Sequence, residues 1–365
     1  MLCGMRWIPF VLITAGCEDL LGKDPSLGYS DGEIVTEAGV AELKIKVKAG
    51  QTSFLLTADG EHYVAVDEIR DPDGNRVFYW DDWYSEPYSL TSAVWPLDNE
   101  MVLNWPIRGE EANLFAGTWK VTLAAIKGST GAYQSGSSIS YTVQTKDDPS
   151  FVAADVNVRL VYAEGVDDNP EVTAAVDSAI DRWIEIWEPM GLYPNVRTTS
   201  SSIDSDLPYA GHGSETIYET TLDSYEDELT MIVGATIDGG RDYLGVAGSI
   251  PGTLTANTRS AVVLSWLASA GVDAVFSELD IAIMGETMAH EVGHYMGLFH
   301  PVEQDWARWD ACDDTPNCTS SSTCEDQLGS NLMFPAPVCS LTSCQEQGDL
   351  SEIQGEILQR YTGAL

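Results

Sequence analysis

Residues 285–305 read GETMAHEVGHYMGLFHPVEQD, and this stretch decides how the fold of the chain is interpreted. His290 and His294 are four residues apart, so on a helix their imidazoles lie on one face and can bind the same metal ion. Glu291 lies one position round the helix, from which its carboxylate can reach a water molecule on that ion. A helix that carries histidines by chance would explain the pair, but not the residues that follow it.

Gly297 and His300 complete the pattern HExxHxxGxxH. A glycine adopts left-handed backbone angles at no steric cost, so Gly297 can end the helix and turn the chain. The turn would bring back His300 as a third ligand. Three neutral imidazoles leave a tetrahedral zinc ion with one open position for water, and zinc lowers the pKa of that water toward about 7. The pattern therefore predicts one catalytic Zn²⁺, with Glu291 as the general base and acid.

The composition limits the partners of the chain. With 365 residues, 44% of them hydrophobic, the chain is long enough for two domains with separate cores. Its formal net charge is −39, from 18 basic and 57 acidic residues. Such a surface cannot neutralise a phosphate backbone or adhere to anionic lipid, which excludes nucleic acid as a partner. We interpret the acidity as solvated surface, with calcium-binding carboxylates as the alternative.

Residues 1–17, MLCGMRWIPFVLITAGC, are interpreted as an export signal. Arg6 precedes an apolar run that is too short to span a bilayer. The small residues Ala15 and Gly16 precede Cys17, which resembles the end of a bacterial lipoprotein signal with Cys17 as the lipidated residue. An ordinary secretory signal is the alternative. Both predict an exported protein, either secreted or a lipoprotein of the outer membrane or cell surface, which touches the membrane only through its lipid.

A β-rich region follows the signal. Residues 18–36 are polar and without periodicity, and are predicted to be a linker. Residues 37–146 contain short alternating runs separated by turn signals, which predict an antiparallel β-sandwich. Residues 71–77 (DPDGNRV) and 114–123 (LFAGTWKVTL) resemble the jelly-roll-like sandwiches that accompany secreted bacterial peptidases. The dense tryptophans of this region either pack in its core or form an aromatic surface for sugar or peptide; they are Trp80, Trp83, Trp95 and Trp105.

Residues 150–365 are predicted to form the second domain. A strand over 156–162 precedes Asn169 and Pro170, a capping side chain and a proline that together indicate the start of a long helix. Apolar runs near 229–233 and 260–267 predict further strands, and the helix of the histidine motif begins near Asp280. The predicted fold class is α+β: an antiparallel β-sandwich, then a mixed twisted sheet with an active-site helix and a loop-rich lower half.

The complete motif resembles that of the metzincin zinc peptidases, and the chain from 155 to 362 is most similar to the pappalysin or cytophagalysin family. Four segments carry this resemblance: HEVGHYMGLFH at 290–300, Asp313-Asp314-Thr315-Pro316, Asn331-Leu332-Met333, and Leu350-Ser351 with Gln354 and Arg360. The resemblance implies a peptidase with a protein or peptide substrate, and a Met-turn that places Met333 beneath the zinc site. Many family members have a tyrosine where this chain has Pro335, so that position provides no phenol here.

The region beyond the motif carries five cysteines, Cys312, Cys318, Cys324, Cys339 and Cys344. In an exported protein they predict two disulfides and one spare thiol, whose pairing the sequence leaves open; a second structural metal site is the rival. The family resemblance also suggests Ca²⁺ at Asp305, Asp313 and Asp314, where solvated loop charges are the alternative. We expect a monomeric zinc endopeptidase; a surface adhesin or binding lipoprotein with a silent metal site is the alternative function.

Overall fold

A computed structural model of the chain describes residues 27–365, apart from 84–87, 97, 112, 148–150, 272 and 340–342. The predicted signal at 1–17, with Cys17, lies outside the described residues, as does the first part of the predicted linker. Within the described part of the chain, no helix is both long and apolar enough to cross a membrane.

Two antiparallel sheets and their connections occupy residues 27–147. The elements are β1 (Leu27–Val35), β2 (Val40–Val47), β3 (Gln51–Gly60), β4 (Tyr63–Arg70), β5 (Arg76–Tyr79), α1 (Trp80–Trp83), β6 (Tyr88–Ser89), β7 (Glu100–Trp105), β8 (Gly117–Lys127), β9 (Ala132–Tyr133) and β10 (Ser138–Asp147). One sheet, called the inner sheet because it faces the second half of the chain, has the strand order β1-β10-β3-β7. The other, called the outer sheet, has the order β2-β8-β4-β5, with β9 beside β8. Phe78 of the outer sheet meets Trp105 of the inner sheet edge-on, with ring centroids 5.7 Å apart.

Part of the segment predicted to be a linker, residues 18–36, forms strand β1 instead. Residues 27–35 lie inside the segment predicted to be a linker, yet they pair with β10 along their whole length, from Leu27 opposite Lys146 to Val35 opposite Ser138. The segment YSDGE carries few apolar side chains because β1 is an edge strand, and its residues are mostly exposed. Backbone pairing with a neighbour, which leaves no periodic hydrophobic signal, therefore determines its structure.

The second half is built on a five-stranded sheet and a central helix. Its elements are β11 (Ala154–Tyr162), α2 (Pro170–Trp187), β12 (Leu192–Ser200), β13 (Asp206–Leu207), α3 (Glu215–Thr221), β14 (Leu229–Gly234), β15 (Thr236–Ile237), β16 (Gly245–Ala247), β17 (Ala261–Ser265), α4 (Trp266–Ser269), α5 (Glu278–Tyr295), β18 (Trp309–Asp310), α6 (Ser321–Leu328) and α7 (Glu352–Arg360). The strand order is β12-β11-β14-β17-β16, in which only β16, at the edge, is antiparallel to its neighbour.

Helix α2 begins where it was predicted, and helix α5 begins at Glu278, two residues before its predicted start near Asp280. The Asn169 side chain caps α2 by accepting a hydrogen bond from the Glu171 N–H, and Pro170 occupies the first turn. Helix α5 begins with a capping box between Ser277 and Asp280. The two helices cross closely at Gly285, because a Cβ there would lie 2.6 Å from the carbonyl oxygen of Ala179 in α2.

The inner sheet is covered on both faces. Successive side chains of a strand point to opposite faces, so Trp105 packs toward the outer sheet while Asn104 points toward the second half. Asn104 donates to the Arg360 carbonyl oxygen and accepts hydrogen bonds from the N–H and hydroxyl of Thr362. Buried residues of both halves form one continuous hydrophobic cluster. The separate cores expected from chain length are therefore joined into one.

Candidate metal centre

Helix α5 carries the first part of the site. Met333 is fully buried beneath it, and a Cβ added at Gly293 would lie 2.9 Å from the Met333 Sδ atom. The chain needs a residue without a side chain at 293, between His290 and His294, because Met333 occupies that space. Beyond the helix, Gly297 has a φ of 117°, in the region that favours glycine, and this turn redirects the chain toward His300.

The structure brings the three predicted histidines together. The Nε2 atoms of His294 and His300 are 3.1 Å apart, and those of His300 and His290 are 3.3 Å apart. Ligands of a tetrahedral zinc ion, each 2.0–2.1 Å from the metal, are separated from one another by about 3.3 Å. Among the described residues, these three form the only group of three or more His, Cys, Asp or Glu with ligand atoms close enough to hold one ion. The donor set therefore fits zinc.

Each imidazole is oriented by a partner on its other nitrogen. The Nδ1 atoms of His290 and His294 lie 2.7 Å from the carbonyl oxygens of Leu332 and Leu298, respectively. The Nδ1 atom of His300 lies 3.1 Å from the Glu303 carboxylate. A carbonyl or carboxylate oxygen accepts the Nδ1 proton, which fixes the tautomer and leaves each Nε2 lone pair directed into the centre.

Burial keeps the imidazoles of the helix neutral. Burial, reinforced by the nearby His300, lowers the pKa of His290 to about 3. Burial and the two neighbouring histidines lower the pKa of His294 well below its ordinary value. Neutral imidazole is the form that binds a metal ion, so neither side chain needs to lose a proton at neutral pH before a metal can bind.

Glu291 is held beside the three imidazoles. Its Oε2 atom accepts a hydrogen bond of 2.8 Å from the N–H of Ala247, in the edge strand β16. A Cβ at Gly245 would lie 2.7 Å from the Glu291 Cγ atom, so glycine at that position provides the room for this side chain. Burial raises the pKa of Glu291 to about 7, with the Ala247 hydrogen bond acting in the opposite direction. A carboxyl group with such a pKa can both take up and release a proton near neutral pH.

The carboxylates suggested as calcium ligands do not gather. Asp305 binds the Arg308 guanidinium and the N–H of Ala307, while Asp314 accepts the N–H of Ile353 at the start of α7. Asp313 is exposed. The structure gives no support to a calcium site at these residues, because two of the three carboxylates already satisfy local donors.

Two disulfides form among the described residues, Cys318–Cys324 and Cys339–Cys344, and Cys312 is a buried free thiol. The prediction of two bridges and one spare thiol is therefore confirmed, and the pairing is between neighbours in the sequence. Disulfides are typical of proteins outside the reducing cytosol. Burial raises the pKa of the Cys312 thiol, so it is not a reactive thiolate.

The sequence did not identify the groups that orient the site. Glu303 follows His300 by three residues, and that spacing was the one signal available for it. The carbonyls of Leu332 and Leu298 and the N–H of Ala247 are backbone groups, which no residue type reveals. Only the fold brings them to the site.

Comparisons with solved structures gave weak similarities, among them to three metallopeptidases. Archaemetzincin from Methanopyrus kandleri matches with 17% identity and a TM-score of 0.28, over 57% of this chain and 88% of that one. Metalloproteinase-II from Bacteroides fragilis matches with 10% identity and a TM-score of 0.29, over 51% of this chain and 61% of that one. A zinc-dependent peptidase from Methanocorpusculum labreanum matches with 12% identity and a TM-score of 0.29, over 56% of this chain and 94% of that one.

No protein-family model and no curated protein matches the chain. Because the structural similarities are at this level, we base the function on the geometry of the site.

Proposed function

We propose that the chain is an exported zinc-dependent endopeptidase of the metzincin type. The observation that carries this proposal is the convergence of three imidazole Nε2 atoms beside a buried carboxylate, where the Nδ1 atom of each ring is hydrogen-bonded to a carbonyl or carboxylate oxygen. His290, His294 and His300 would hold the ion, and Met333 would support them from below. A bound zinc ion would polarise the substrate carbonyl and make an attacking water more acidic.

Glu291 would move the protons of the reaction. Its Oε2 atom is occupied by the Ala247 N–H, and among the described residues no donor reaches Oε1. The Oε1 atom would take a proton from the water as its oxygen forms a bond to the peptide carbonyl carbon. Glu291 would then deliver that proton to the amide nitrogen as the C–N bond breaks. This restores the Glu291 carboxylate, and the products are a carboxylic acid and an amine.

Strand β16 would align the substrate. It is the edge of the five-stranded sheet, and its other side is not paired with any described strand. An extended peptide can add to such an edge through backbone hydrogen bonds, and we propose antiparallel addition. The Ala247 N–H marks where the scissile bond would lie, since it binds the catalytic carboxylate.

A silent metal site would not need Glu291. A structural zinc site usually fills all four positions with protein ligands, whereas here three imidazoles converge next to a carboxylate held by a backbone N–H. This arrangement favours the peptidase over the binding lipoprotein. Lipidation at Cys17 and export stay predictions, and mass spectrometry of the N-terminus of the protein from an exporting cell would test both.

Cleavage of a diverse peptide pool tests the proposal directly. The full chain would be assayed with zinc, with a chelator and as Glu291→Ala, with Glu164→Ala, a substitution of an exposed carboxylate, as the matched control. We expect cleavage that the chelator abolishes, that Glu291→Ala loses while still binding one zinc per chain, and that the control retains. Wild-type activity in Glu291→Ala would refute the role of this residue; absence of cleavage with zinc bound would favour the binding lipoprotein.

A further inference from the structure

A cavity of about 410 Å³ opens beside the three histidines, and its lining includes His290 and Glu291. One wall consists of α5 residues that include Ile283 and Thr287. The opposite wall is the chain that follows Met333, where Phe334 and Pro335 are located. About half of the lining side chains are apolar, among them Ile283, Phe334 and Pro335, so the cavity has the size and the apolar walls to hold a large side chain.

Glu286 lines this cavity one helical turn before His290, on the same face of α5. Only 7% of Glu286 is exposed. Its Oε1 atom accepts a hydrogen bond of 3.0 Å from the Nη2 atom of Arg182, which belongs to α2. The backbone N–H of Gln347 donates to the same carboxylate. Of the three carboxylates in the lining, Asp242 is exposed and Glu291 accepts the Ala247 N–H, whereas the buried charge of Glu286 is paired with a cation that the chain itself supplies.

We propose that the Arg182–Glu286 pair determines which side chain this cavity accepts, namely a large uncharged one. A basic side chain that reached Glu286 would also approach the Arg182 guanidinium, and it would have to displace a hydrogen bond already made. An acidic side chain would meet the Glu286 carboxylate in a place with little water. An uncharged side chain, aliphatic or aromatic, leaves the pair intact and gains contact with the apolar walls.

The cavity would receive the residue on the C-terminal side of the cleaved bond. Its lining includes Tyr243, Leu244 and Gly245, which precede Ala247 in the chain. A peptide antiparallel to β16 places its C-terminal part beside the N-terminal part of that strand. This assignment rests on the proposed function, which supplies the cleaved bond, and on the antiparallel addition proposed above.

Binding of hydroxamates tests the inference without any need for turnover. A hydroxamate group chelates zinc, and three otherwise identical compounds would carry an isobutyl, a 4-aminobutyl or a carboxyethyl side chain. With the zinc-loaded full chain, we expect the isobutyl compound to bind roughly 10- to 100-fold more tightly than either charged one, as is typical for a buried charge without a partner. Equal binding of the isobutyl and aminobutyl compounds would overturn the inference.

Charge removal at the pair should change the preference. In Arg182→Met, Glu286 is left without its cation, so the aminobutyl compound should gain about tenfold over the isobutyl compound. If that variant fails to fold, Arg182→Gln, which removes the cation but keeps a hydrogen-bond donor for Glu286, should show the same gain. Arg76→Met, in the outer sheet, is the control and should leave all ratios unchanged. An unchanged ratio in folded Arg182→Met would also overturn the inference.

The failures of the two proposals can be told apart. Hydroxamate binding with the expected preference but no peptide cleavage would refute the peptidase and leave the inference about the cavity in place. Chelator-sensitive cleavage with no preference for the residue after the cleaved bond would refute the inference alone. Peptides that differ only by Leu, Phe, Lys or Glu at that position provide the second readout, as ratios of kcat/KM.

Discussion

Replacement of Glu303 by alanine should weaken zinc binding, although the ion would not touch this residue. The Glu303 carboxylate lies 3.1 Å from the Nδ1 atom of His300, and it is the one charged group among the three partners of the imidazoles. Loss of such a partner typically reduces metal affinity 10- to 100-fold, which corresponds to about 1.4–2.7 kcal/mol. Its side chain is 31% exposed, so water can replace part of the interaction and the lower end of this range is expected.

Competition with a chromophoric zinc chelator measures this loss. Glu303→Gln keeps a hydrogen-bond acceptor for His300 without the charge, and should fall between the wild type and Glu303→Ala. Asp305→Ala is the matched control, because Asp305 lies in the same loop but binds Arg308 rather than a histidine. Zinc affinity of Glu303→Ala equal to that of the wild type would refute the argument that this carboxylate orients His300.

Three further predictions concern stability, and denaturant unfolding measures each. Gly293→Ala places a methyl group 2.9 Å from the Met333 Sδ atom and should destabilise the protein by about 1–3 kcal/mol; an unchanged unfolding midpoint would contradict this packing. Asn104→Ala removes three hydrogen bonds between the halves, including both from Thr362, and should cost about 1–3 kcal/mol in one shared transition, whereas two separate transitions would argue against a joined core. Burial raises the pKa of Asp310 to about 6. The folded state therefore holds this proton more strongly than the unfolded chain, whose pKa is near 3.8, so the stability of the wild type is complete below 3.8 and falls as pH rises through 6. Asp310→Asn should gain stability relative to the wild type between pH 4 and 8, and a constant difference would contradict this.

The convergence of the three histidines was largely predictable, because it depends on a local pattern. His290, His294 and Gly297 lie within two turns of one helix and its end, so their spacing alone determines which of them share a face. The position of His300 follows from the turn at Gly297. The start of α2 was equally local, since Asn169 and Pro170 act on the first turn of their own helix.

Features that depend on distant parts of the chain were not predictable in this way. Strand β1 forms because β10, more than 100 residues away, offers it a pairing edge. The partner of Glu286 is Arg182, 104 residues earlier, and only the close crossing of α2 and α5 makes them neighbours. Periodicity within a short window contains no information about such pairs. Length suggested two cores, yet polar side chains such as Asn104 and Thr57 hydrogen-bond across the junction.

The two covered faces of the inner sheet affect how the chain must assemble. About 200 residues separate the end of that sheet, at Asp147, from Glu352, where α7 begins. During synthesis the sheet therefore emerges long before the segment that covers its second face is available. Exposed apolar surface in such an intermediate promotes aggregation. Chaperones that delay premature association should therefore improve the yield of folded protein. Expression of the whole chain rather than of its second half alone should do the same.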